Sequence, residues 1–196
     1  MIKVLKLTSI TIFLVFILTG CTHKIDMVPN VEKVTDNVFN IKKRNYNVAY
    51  ILKSYEQDKY VVTPGGGGDK IGYTPYDDTE LAFRSILSKV FNKVYKLEFN
   101  DSKFVNEKDI RFIFTYNLKT NSSSESMFTW PPTKFTISLN CKTISKDGSK
   151  VWEDTIYDEG SATFSEFKSN FSLAAQRASE KVFTQLLQKI NNNKKF

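Results

Sequence analysis

The least ordinary chemistry in this 196-residue chain lies in a run of four glycines, Thr63-Pro64-Gly65-Gly66-Gly67-Gly68-Asp69-Lys70. Glycine loses more backbone freedom on ordering than any other residue, so such a run is useful where φ must be positive or where the chain must approach something closely. A phosphate cradle would present backbone amides and a lysine. The P-loop pattern, however, ends in Gly-Lys-Ser/Thr, and here Asp69 precedes Lys70 while Ile71 follows it. The dinucleotide pattern fails as well, because Lys70 stands where its third glycine belongs. A carboxylate beside the amides repels phosphate, so no nucleotide is expected. Two readings stay open: a mobile or tightly wound structural loop leading into a helix, or a recognition loop offering Gly65, Gly66, Gly67, Gly68, Asp69 and Lys70 to a partner or glycan.

Other reactive side chains are sparse. Trp130-Pro131-Pro132 closes a Ser-rich stretch; an exposed Trp backed by rigid prolines would anchor an interface, and a Trp folded over a sheet edge would simply pack. The single histidine, His23, stands next to the N-terminal hydrophobic segment. A His-based triad or metal cluster in the body of the chain is therefore not expected. Acids occur as adjacent pairs, Asp77-Asp78, Glu153-Asp154 and Asp158-Glu159, and neighbours on a strand point to opposite faces, which is wrong for general acid–base work. No serine has a nucleophile-elbow setting. The chain is not expected to be an enzyme, and no metal or dissociable cofactor is expected.

The elements that hold these residues follow from periodicity. Asn47–Lys53 is rich in β-formers, and Tyr60–Thr63 continues it or pairs with it. Pro75–Val94 reads as a helix, with Leu81 or Phe83, then Ile86, Leu87, Val90, Phe91 and Val94 on one face. Ile110–Leu118 alternates Ile110, Phe112, Phe114, Tyr116 and Leu118. Two long strands follow, about Lys134–Ser145 and Lys150–Tyr157, and Asp147-Gly148 between them is a hairpin signal. Cys141 shares a strand face with Phe135, Ile137 and Leu139 and reads as a small buried hydrophobe. The last element, from Glu166 or Asn170 to Ile190, lines up Phe171, Ala174, Ala178, Val182, Leu186 and Ile190. The order predicts an α+β fold: a mostly antiparallel sheet of about four to five strands, with two amphipathic helices packed on one face.

The N-terminus has its own logic. Lys3 and Lys6 precede an apolar run of about a dozen residues, whereas a membrane-spanning helix needs roughly 20. A charged start, a short apolar core and small residues at its end make a secretory signal over 1–20, with an uncleaved anchor as the alternative. Residues 21–45, polar and lysine- and asparagine-rich with Pro29, read as a flexible tether that would reach roughly 80 Å if extended. A single domain is expected over 46–190 and a frayed tail over 191–196. Without residues 1–20, which carry two lysines and no acid, the formal charge falls from +7 to +5. Spread along an exported chain, that charge suits anionic headgroups or a soluble surface better than nucleic acid.

Leu18-Thr19-Gly20-Cys21 resembles the lipobox of bacterial lipoproteins. The resemblance implies cleavage between Gly20 and Cys21, a thioether-linked diacylglycerol on Cys21 and an acyl chain such as palmitate on its nitrogen. Thr22, where an Asp would retain a Gram-negative lipoprotein at the inner membrane, implies an outer-membrane location facing the periplasm, or the cell membrane in a Gram-positive host. The Thr63–Lys70 stretch with Tyr73 and Pro75 resembles a group of uncharacterised proteobacterial outer-membrane lipoproteins. The closing layout, the Asp147-Gly148 hairpin, Tyr157–Gly160 and an Ala-rich helix, is similar to small α/β envelope lipoproteins that assist larger assemblies. Together these imply a membrane-anchored accessory module that docks on an envelope complex or cell-wall polymer through the glycine loop and Trp130-Pro131-Pro132. The alternative is a carrier or chaperone for an amphipathic ligand such as a lipid, held in an apolar cleft between the helices and the Phe-rich sheet.

Overall fold

The computed structural model describes residues 21–66, 68–124 and 133–196. In chain order the described elements are β1 (Thr22–Lys24), α1 (Val31–Asp36), β2 (Asn47–Ile51), α2 (Ser54–Gln57), β3 (Val61–Gly66), β4 (Asp69–Tyr73) and α3 (Pro75–Val90). They continue with β5 (Val94–Leu97), α4 (Ser102–Glu107), β6 (Ile110–Ser123), β7 (Lys134–Ser145), β8 (Lys150–Ser161), α5 (Phe164–Phe167) and α6 (Leu173–Asn192). Five strands form one sheet in the order β5-β2-β6-β7-β8, and three form a second in the order β1-β4-β3. The α+β expectation holds. The larger sheet is mixed, since β5, β2 and β6 run parallel while β6, β7 and β8 form long antiparallel ladders.

Both amphipathic helices pack on one face of the larger sheet, as the periodicity requires. Helix α3 starts with Pro75 at its first position and Asp77 and Asp78 in its first turn, where carboxylates suit the helix dipole. It buries Phe83, Ile86, Leu87 and Val90, whereas Leu81 faces solvent. Helix α6 buries Ala174, Ala178, Val182, Phe183, Leu186 and Ile190. It lies so close to β8 that a Cβ on Gly160 would fall 2.0 Å from the carbonyl oxygen of Ala174. Between helices and sheet, Phe83, Phe91, Phe114, Phe135 and Phe183 are each fully buried. The opposite face carries a smaller cluster, Ala49, Leu97, Val105, Ile110 and Ile113, beside α4. The β7–β8 turn has Gly148 at φ +87°, and the Ser145 hydroxyl and Ser149 amide hold the Asp147 carboxyl down to about 2.

Several boundaries differ from the sequence expectation; the helix expected over Pro75–Val94 ends at Val90, and Val94 opens β5. Residues 21–45 are no slack tether: β1 pairs parallel with β4, and Ile25, Met27, Val34 and Val38 are buried. The spacing of these four apolar residues matches no single periodicity, because Ile25 and Met27 lie in the irregular run after β1, Val34 in α1 and Val38 just beyond it. Nor does the C-terminal tail fray. Phe196 packs against Phe112 and Phe114 at ring-centroid distances of 5.4 and 5.5 Å, and against Phe91 and Trp152 at 5.9 Å. Arg44 reinforces it by donating to the carbonyls of Asn191 and Asn193. Finally, Tyr60–Thr63 neither continues nor pairs with the Asn47–Ile51 strand; β3 pairs with β4.

Candidate functional site

Glycine and short-range hydrogen bonding shape the turn between β3 and β4. Gly66 and Gly68 both sit at φ +88°, where a side chain is strained. A Cβ on Gly65 would press on the Asp69 backbone at 3.0 Å, so the two arms close tightly. The hairpin thereby presents Asp69 to the N-terminal strand. One carboxylate oxygen accepts the Cys21 backbone N–H at 2.9 Å, and the other lies 3.1 Å from His23 Nε2. The amide of Lys70 donates to the Cys21 carbonyl at 2.9 Å. The His23–Asp69 pair has partial solvent access on both sides, so its strength is that of a partly screened contact.

Further along, the same segment is fastened to both helices. The Ile25 amide donates to the Gly72 carbonyl at 3.0 Å. Asp26 takes the Ser172 hydroxyl at 3.0 Å and the Gln176 amide at 2.8 Å, at the start of α6. The Met27 amide donates to Asp78 Oδ2 at 3.0 Å, in the first turn of α3. Burial raises the Asp78 carboxyl above its ordinary value, and the Met27 N–H works against that rise. Among the described residues, Cys21 thus stands at the head of a folded edge rather than at the root of a linker. It is exposed, whereas Cys141 is buried and its thiol is pushed up by loss of solvent.

The structure therefore brings Cys21 and the glycine hairpin together, which sequence spacing did not indicate. Of the other candidate residues, Gly20, Gly67, Trp130, Pro131 and Pro132 lie outside the described residues. The strands leading to and from 125–132 are described: Ser123 pairs with Lys134, and Ser122 Oγ lies 2.6 Å from both Thr63 Oγ1 and Pro64 O. Those strand ends stand at the same end of the molecule as the hairpin.

A second feature went unread in the sequence. Strand β2 pairs with β6 only as far as Phe114, and beyond that point an open cleft of about 670 Å³ lies against β6. Tyr55, Lys59 and Tyr76 wall it, and Asn117, Asn140 and Lys142 lie on its sheet side. The Tyr76 hydroxyl donates to Asn117 Oδ1 and accepts from the Leu118 amide, both at 3.2 Å, which fixes that wall. The polar residues alternate with the buried ones on β6 and β7, so the pattern was visible; what was not is that β2 stops short. Among the described residues no group of three or more His, Cys, Asp or Glu could hold a metal, and no helix is long and apolar enough to cross a membrane.

No family profile and no curated protein matches the sequence. Among solved structures, a Xanthomonas campestris protein of the DUF330 family is 14% identical at a TM-score of 0.46, with 88% of this chain and 92% of that one covered. A PelC dodecamer from Paraburkholderia phytofirmans is 12% identical at 0.40, with 73% and 93% covered. A Caulobacter crescentus protein with the provisional description of a lipoprotein is 10% identical at 0.34, with 75% and 84% covered. Likenesses at this level carry no assignment of family or function.

Proposed function

We propose that this chain is a lipid-anchored accessory module of the bacterial cell envelope, carrying its lipid on Cys21 and facing the periplasm from the outer membrane. The observation that carries the reading is the contrast between its two thiols. Cys21 is exposed at the head of β1, directly after a signal-like segment, while Cys141 is sealed in the core. Thioether formation needs an accessible sulfur, and of the two cysteines only Cys21 is exposed.

The work of the module is docking rather than catalysis, on an envelope complex or a cell-wall polymer. The cleft walled by Tyr55 and Tyr76 is the recognition surface in this reading. It combines aromatic rings, amides, two lysines and Glu56 in an open, polar trough, which suits an extended polar segment. The glycine hairpin is a weaker candidate for that role than its composition implies, because the Asp69 carboxylate and the Lys70 amide are already engaged by the chain's own N-terminal strand. A carrier of amphipathic ligands would need an apolar cleft between helices and sheet, where fully buried phenylalanines fill the space instead.

The test is metabolic labelling with palmitate in a bacterial host, followed by cross-linked capture from membranes. Labelling is expected in the wild type and in Cys141→Ala, and lost in Cys21→Ala. A stoichiometric partner or polymer should be captured with the wild type and lost when Lys59 and Lys142 are both changed to Glu. Label retained in Cys21→Ala would contradict the anchor, and capture indifferent to the double charge reversal would contradict the cleft.

A further inference from the structure

Among the described residues, the three-stranded sheet beside Cys21 leaves one of its faces exposed. Register puts Val62 opposite Gly72 and Pro64 opposite Lys70 on β3 and β4, and Thr22 opposite Lys70 and Lys24 opposite Gly72 on β1 and β4. These positions share one face, because residues two apart along a strand point the same way. The other face is the packed one: Ile71 and Tyr73 are fully buried, and the Tyr73 ring meets Phe135 at 5.1 Å.

On the outer face Tyr60 and Val62 are 51% and 47% exposed, and Pro64 is exposed beside them. Lys24 and Lys70 are exposed on the same face, and none of its positions holds a carboxylate. The hydroxyl end of Tyr60 sits over Gly72, where a Cβ would fall 1.7 Å from its oxygen. Scattered exposed hydrophobics need no explanation by themselves. What distinguishes this group is its distance from Cys21. Three hydrogen-bonded strands span only about 10 Å from edge to edge, so the whole face lies within one lipid headgroup or two of the anchored residue. A tyrosine, small apolar residues and two cations are also the chemistry that settles at a bilayer surface, the ring at headgroup level and the lysines near anionic lipid.

We propose that the glycine hairpin is a clasp for the mature N-terminus and that it lays this sheet face, Tyr60, Val62, Pro64, Lys24 and Lys70, against the bilayer. The inference rests on lipidation of Cys21. An N-acylated Cys21 keeps one N–H on its nitrogen, so the bond to Asp69 Oδ1 survives maturation, and Lys70 still donates to the Cys21 carbonyl. With both held, the backbone from which the lipid leaves is fixed relative to this face. The β7–β8 turn at Asp147-Gly148 then points away, about 37 Å along the strands from Lys134 and Ser161.

The experiment uses the full lipidated chain in vesicles of phosphatidylethanolamine and phosphatidylglycerol containing a headgroup-level nitroxide quencher. A fluorophore is placed in turn at Val62→Cys, Phe164→Cys and Lys146→Cys, with buried Cys141 left in place. Quenching at 62 should exceed that at 146 several-fold and exceed that at 164. Asp69→Ala should erase the contrast, and Asp69→Asn, which keeps an acceptor for the Cys21 amide, should restore part of it. Equal quenching at 62 and 146, stronger quenching at 164 than at 62, or a contrast unchanged in Asp69→Ala would overturn the clasp. Palmitate incorporation is measured on the same samples: its absence would overturn the anchor reading itself, whereas labelled protein without contrast overturns only the orientation.

Discussion

Asp69 draws the Cys21–His23 segment into the fold because a carboxylate accepts from two partners at once, the Cys21 amide and the His23 ring. Glycine does complementary work elsewhere by leaving space. Gly160 is the sharpest case, since its missing side chain admits the backbone of α6, with Ala174 O at 2.0 Å and Ala178 N at 2.4 Å from a built Cβ. Neither neighbour is a flexible side chain, so the helix itself must move. Gly160→Ala should destabilise the fold by about 3 kcal/mol, the upper part of the usual overpacking range, measured by urea unfolding. A loss below about 0.5 kcal/mol, which is ordinary for a surface change, would show that α6 is not seated as described. The reactive residues were legible in type but not in company. The sequence displays Asp69 within a glycine run and His23 beside Cys21, yet 46 residues separate the two, and no local periodicity reports a parallel strand pair across such a gap.

The long elements announced themselves. In α3, α6, β6, β7 and β8, burial on one side imposes a period of 3.6 or 2 on the sequence, and the described bounds fall close to those periods. The short elements did not. Strand β1 has three residues and α1 has six, too few for either period to declare itself, and their polar composition reads as linker. The C-terminal tail is the same case: one aromatic ring and a few backbone hydrogen bonds hold it, and none of them leaves a period in the sequence. Phe196→Ala should cost about 2 kcal/mol, less than a fully buried Phe→Ala because the ring is only partly covered. Thermal or urea unfolding measures it, and an unchanged midpoint would restore the frayed tail. The open cleft was hidden for a related reason. Its existence depends on where β2 ends relative to β6, and strand ends are set by tertiary pairing rather than by the residues of either strand.

At the scale of the whole molecule, every part of the segment after Cys21 is tied to something else: β1 to β4, Asp26 to α6, Met27 to α3, and the residues before β2 to the end of α6 through Lys42 and Arg44. A lipid on Cys21 would therefore hold the domain at the membrane surface instead of on a long leash, with the cleft about 17 Å along β6 from Ser122 at the hairpin end. Under the proposed anchoring, such a module would reach partners at the bilayer surface. The measurement that bears on this most directly is amide hydrogen exchange over residues 22–28 of the lipidated protein in detergent micelles. The amides of Ile25 and Met27, which donate to Gly72 O and Asp78 Oδ2, should exchange as slowly as those of β4 in the same sheet. Exchange at the rate of an unstructured chain across 22–28, with β4 protected, would contradict the docked N-terminus and return the segment to a tether.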